Sequence, residues 1–193
     1  LEAEVVRDVA LAASGLFNPE VGGPSVFPPQ PEGASKLGQM QRDWVEATDK
    51  SRYRRGMYTY FWRASPHPGL MIFDAPDSTA ACTRRVRSNT PLQALTLLND
   101  KGYYEMAQNL AKRVLDEGGA SNGERLERAF ELCIGRAPSE AERDELSRFL
   151  AEQLDRLQTR PDEARTIAAT PELAAWTALS RVLLNLDEFI TRE

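Results

Sequence analysis

The chain has 193 residues, 41% of them hydrophobic, and its 24 Lys+Arg stand against 29 Asp+Glu for a formal charge of −5. That composition is ordinary for a globular protein and excludes a disordered tail or a collagen-like repeat; no stretch approaches the ~20 apolar residues of a membrane-spanning helix. The acidic balance excludes a general electrostatic grip on nucleic acid, and a single His with two Cys cannot build a usual zinc site or a haem-attachment motif.

Val6, Val9, Ala10 and Ala13 recur at helical spacing, which predicts a helix over residues 2–14 with Gly15 as its left-handed stop. Residues 18–33, NPEVGGPSVFPPQPEG, hold five prolines and three glycines. Neither a helix nor a central strand tolerates that density, so the segment is expected to be an extended connector packed across the surface. Residues 36–50 carry no clear pattern. The aromatic-rich YRRGMYTYFWR at 53–63 reads as a short strand, with helix as the alternative, and residues 65–89 are again irregular and punctuated by proline.

Thr90-Pro91-Leu92-Gln93 is a capping box with proline at the first helical position, and Asn99-Asp100 ends that helix and caps the next. Tyr103, Met106, Ala107, Leu110, Ala111 and Val114 then share one apolar face, closed by Gly118-Gly119. Leu126, Ala129, Phe130 and Cys133 repeat the pattern up to Gly135. Ser139 and Glu142 form a second capping box, ahead of Leu146, Phe149, Leu150, Leu154 and Leu157. Thr170-Pro171 opens the last helix, whose run from Leu173 to Leu186 is apolar nearly all round and is therefore expected at the centre of the core. The fold class is mainly α: an antiparallel helical bundle over residues 90–193, with a largely irregular, Pro-rich half over residues 1–89 packed on it. The chain is expected to be one domain over residues 1–193. It opens directly on helix, which reads as an N-terminal truncation. Cys82 and Cys133 are expected to be two buried thiols rather than a disulfide.

Candidate chemistry concentrates in residues 53–87. Arg54 and Arg55 interleave with aromatic residues up to Trp62, a pattern that suits an acidic glycan by stacking and charge-assisted hydrogen bonding, or else an aromatic strip in the core with arginines reaching outward. Asp74 and Asp77 bracket Ala-Pro near Arg84, Arg85 and Arg87, as an acid–base pair, a cation site or a plain turn. A contact from Asp74 or Asp77 to one of Arg54, Arg55, Arg84, Arg85 or Arg87 is expected. His67, held between Pro66 and Pro68, is a general base or a structural residue. No phosphate-binding loop, nucleophile elbow or dinucleotide fingerprint occurs, no metal site is expected, and no catalytic set can be named.

LEAEVVRD, GGPSVFPPQPEG, YRRGMYTYFWR, FDAPD, CTRRVRSNTPLQALTLLND and AWTALSRVLLNLDEFITRE occur in that order. Together they resemble a planctomycete-type C-terminal domain of unknown function, found in large exported bacterial proteins that often also carry a cytochrome-c-like domain. The resemblance implies a periplasmic or cell-surface location, upstream domains of the same polypeptide as partners, and haem only in those neighbours, with no cofactor in this chain. It also places Cys82 within a family motif, whereas LCIGR at Cys133 departs from the usual LLTGR. The expected function is a non-catalytic interaction or substrate-binding module linked to polysaccharide handling. The alternative is a hydrolase or lyase whose site is built from residues 53–87 together with a missing upstream part.

Overall fold

The computed structural model describes residues 1–36 and 43–191. The chain is mainly helical, and its residues sort into two compact units: Leu1–Ala12 with Leu16–Tyr103, and Ala13–Gly15 with Tyr104–Glu193.

The first unit contains most of α1 (Ala3–Ala13), the short α2 (Pro68–Met71) and α3 (Pro91–Asn99), separated by long irregular stretches. Val6 and Ala10 of α1 are buried, as the spacing predicted, while Val9 is part-buried and Leu11, outside the predicted set, is buried as well. Residues 53–63 form neither a strand nor an α-helix. Lys50–Tyr53 and Gly56–Tyr58 are turns of 3-10 helix, and among the described residues the segment's backbone pairs with the Pro-rich connector through isolated bridges, Asn18 to Arg54 and Val26 to Thr59, and not through a strand. The reason is local: the amides of Arg54, Tyr58 and Thr59 donate to Ser51, Arg55 and Gly56 nearby, leaving no continuous ladder to pair. Gly56 is also pressed against α1, where a Cβ would lie 2.7 Å from the Glu4 carbonyl oxygen. Only glycine fits that approach.

The capping box at Thr90 is present: Thr90 accepts from the Gln93 amide, and the Gln93 side chain accepts from the Thr90 amide. The helix it opens, α3, lies in the first unit, where Leu97 is buried and Gln93 Nε2 donates to the Ile72 carbonyl at 2.9 Å.

The second unit holds most of α4 (Lys101–Glu117), then α5 (Asn122–Ile134), α6 (Glu140–Thr159), α7 (Pro161–Ile167), α8 (Pro171–Leu183) and α9 (Asp187–Ile190). Ser139 and Glu142 form their capping box, and Ser121 and Glu124 form another at α5 that the apolar pattern alone did not reveal. Gly135 stops α5 at φ 84°, in the left-handed region. Helix α8 packs against α5, α6 and α7. Its Trp176, Leu179 and Leu183 have no exposed surface, so the nearly all-apolar run is the buried helix of the bundle. On α4, Gln108 donates to the Ile167 carbonyl at 2.7 Å, tying α4 to the end of α7.

Arg136, in the turn after α5, grips Glu142 of α6 and Glu188 of α9 at 2.8 and 2.6 Å. That pairing, with hydrogen bonds from Ser139, holds the Glu142 carboxyl down to about 2. Trp176→Ala should destabilise the protein by about 3–5 kcal/mol, through lost apolar contact and a cavity the neighbours cannot close. Urea unfolding monitored by circular dichroism measures it, and a loss below about 1 kcal/mol would remove α8 from the centre of the core.

Candidate functional site

The residues singled out by sequence are distributed among separate local structures. Arg54 is 3% exposed. Its guanidinium donates to the carbonyls of Pro24 at 2.9 Å, Glu20 at 3.2 Å and Gly22, and it stacks 3.8 Å above the Tyr58 ring. Gly22 and Gly23, both at positive φ, fold the connector back so that its carbonyls face the cation. Arg55 is half-exposed and pairs with Asp8 at 2.9 Å, whose other oxygen accepts from the Gly56 amide. These arginines fasten the connector and the 53–58 segment.

His67 is buried and serves as the N-cap of α2. Its Nδ1 accepts from the Gly69 amide at 3.1 Å, so Nε2, 3.0 Å from the Pro29 carbonyl, carries the ring proton and donates it. Burial, with the nearby Arg7 cation adding to it and the Pro29 bond opposing, lowers its pKa to about 4. A neutral ring with both nitrogens engaged is a structural tie and has no lone pair left for a substrate proton.

Asp74 sits at φ 61° and accepts from both the amide and the hydroxyl of Ser88 at 2.7 Å. Gln93 in turn donates to the Ser88 hydroxyl at 3.2 Å, so the excursion from 74 to 88 is closed at its base like an Ω-loop. Asp77 accepts from the amide and hydroxyl of Thr79, an Asx turn, which keeps its carboxyl below the usual range. The expected aspartate–arginine contact is therefore absent among the described residues. Arg85 is taken instead by Glu4 at 2.6 Å and Glu2 at 3.2 Å, while Arg84 is exposed and forms no ion pair among the described residues. The physical reason is proximity. Neutral donors on Ser88, 14 residues along the chain, close the Asp74 loop, and the carboxylates of Glu2 and Glu4 lie in reach of Arg85. Cys133 is buried as expected, but Cys82 lies exposed in this excursion, and no disulfide joins the two.

What sequence reasoning missed is a concave surface elsewhere in the first unit. A cavity of about 300 Å³ is lined by Phe27, Ser35, Asp43, Trp44, Tyr60 and Trp62. It adjoins a larger cleft of about 660 Å³ whose walls include Gln30, Glu32, Lys36, Glu46, Asn99, Asp100 and Lys101; Ser35, Asp43 and Trp44 line both. Phe27 and Tyr60 stack at 4.9 Å, Trp44 meets Phe27 edge-on at 5.1 Å, and the Trp44 indole donates to the Pro28 carbonyl at 2.8 Å. Of the sequence candidates, Trp62 lines one of these two cavities. Trp44 and Asp43 fall in the stretch whose pattern was uninformative, and the prolines of the connector are what bring Phe27 opposite them.

The fold and surface define a mainly α protein with a side-chain-pinned irregular unit and an aromatic-walled cleft. The chain belongs to the family described as protein of unknown function (DUF1553), whose match covers residues 1–150. The motif AWTALSRVLLNLDEFITRE at 175–193 lies beyond the matched residues. No curated protein and no solved structure matches the chain.

Two measurements check these assignments. His67 is neutral when folded and titrates near its ordinary value when unfolded, so the unfolded state binds more protons between pH 6.5 and about 4. Stability contributed by this group is whole above pH 6.5 and falls as pH drops toward 4, by about 3 kcal/mol in all. In His67→Gln that part of the pH dependence of urea unfolding should vanish, and an unchanged pH profile would contradict the buried tie. Asp74→Asn should cost only about 1–2 kcal/mol, because it weakens bonds to neutral donors without stranding a cation. A loss above about 4 kcal/mol would instead indicate an uncompensated arginine.

Proposed function

We propose that this chain is a non-catalytic, substrate-binding module of a larger exported protein that handles polysaccharide, and that it takes a glycan in the cleft around Trp44 and Trp62. The observation that carries the reading is the aromatic-walled cavity opening onto carboxylate, amide and hydroxyl groups. Sugar rings present apolar C–H faces that stack on indole and phenol, and hydroxyl edges that need such polar partners. The fate of the candidate residues in 53–87 supports a binding role over a hydrolase or lyase: His67, Arg54, Asp74 and Arg85 are engaged in separate structural contacts. A periplasmic or cell-surface setting, with upstream domains of the same polypeptide as partners and haem confined to them, follows from the family resemblance and belongs to the same proposal. Among the described residues no helix is long and apolar enough to cross a membrane.

Isothermal titration with neutral, amine-bearing and acidic oligosaccharides tests this reading. Binding of at least one class should be weakened about tenfold or more by Trp62→Ala, and likewise by Trp44→Ala, with thermal unfolding of each variant recorded beside it. Absence of binding to all three classes would overturn it.

A further inference from the structure

We infer that the cleft selects neutral and, above all, amine-bearing glycans, and that it rejects acidic ones. This rests on the glycan reading above and gives it a substrate class. The arginines that drew the sequence reading toward an acidic glycan lie elsewhere: Arg54 is spent on connector carbonyls, Arg55 on Asp8 and Arg85 on Glu4. Among the described residues that line the two cavities there is no arginine, and four carboxylates, Glu32, Asp43, Glu46 and Asp100, face two ammonium groups, Lys36 and Lys101.

One of those ammonium groups is already neutralised in place, since Lys101 Nζ lies 2.9 Å from Glu46 Oε2. Asp100 spends one oxygen on the amides of Gly102 and Tyr103. Glu32 and Asp43 remain exposed, and among the described lining residues Lys36 is the one cation not paired with Glu46. Among the described lining residues, Asp43 is the charged residue shared by both cavities, at the junction of the aromatic wall and the polar cleft. A sugar ring stacked in the aromatic cavity therefore meets a carboxylate at its edge. A carboxylate accepts from hydroxyls and, more strongly, from an ammonium group, and it repels a uronate or sulfate brought to the same edge.

The test compares three hexasaccharides at low salt and pH 6 by isothermal titration: β-1,4-linked glucosamine, its N-acetylated form, and α-1,4-linked galacturonate. The amine-bearing chain should bind about tenfold or more tighter than the N-acetylated one, with the galacturonate not binding. Asp43→Asn should abolish the preference for the amine, weakening the glucosamine chain about tenfold or more and the N-acetylated ligand by distinctly less. Equal or tighter binding of galacturonate would overturn the charge selection while the glycan reading stands, as would an amine preference that survives both Asp43→Asn and the double change with Glu32→Gln. No binding of any of the three would overturn the glycan reading and this inference with it.

Discussion

The first unit depends on a shortage of backbone donors. Five of the sixteen residues from 18 to 33 are proline, so the connector has carbonyls to satisfy and few N–H groups to exchange for them. A helix or sheet cannot solve that problem, and side chains with an N–H group to donate can. Arg54 spends its guanidinium on the carbonyls of Glu20, Gly22 and Pro24; Trp44 donates to Pro28 and His67 to Pro29. Arginine suits the first of these places because its planar fork reaches several acceptors at once, and because its weak hydration lets it stack on Tyr58 while buried.

The same ties build the cleft. Fixing Pro28 and Pro29 sets Phe27 against Tyr60 and Trp44, which forms the aromatic wall, and the His67 ring lies 5.5 Å from Trp44 on its way to Pro29. A side chain that looks like a general base in sequence is thus part of the frame of a surface it does not itself line. Engagement of His67, Arg54 and Asp74 in the frame is what shifts the functional reading away from chemistry in the 53–87 region and toward binding beside it.

Helical grammar was legible almost throughout the second unit, because cap and periodicity signals are local. Ser139–Glu142, Gly135 and the all-apolar face of Trp176, Leu179 and Leu183 announce themselves within a few residues. The short α7 after Pro161 carries too few apolar residues to show a period, and α3 reads as a helix without revealing which unit it joins. In the irregular unit the prolines correctly excluded regular structure, but the partners of Arg54, Asp74 and Arg85 are set by tertiary approach. Asp74 and Arg85 are near neighbours in sequence, yet one is met by Ser88 and the other by Glu4, at a sequence separation of 81. The cleft was invisible for the same reason: Phe27, Trp44, Tyr60 and Trp62 form no motif until the connector has folded back on them.

Hydrogen exchange of Arg54→Lys, followed by mass spectrometry, tests the donor-shortage account most directly. Lysine keeps the charge but loses the planar fork and the stack on Tyr58. Amides of residues 20–27 and 54–60 should exchange about tenfold faster or more, while those of α5, α6 and α8 keep their protection. Unchanged exchange over residues 20–27 would contradict the account, since the connector would then be held without the arginine that satisfies its carbonyls.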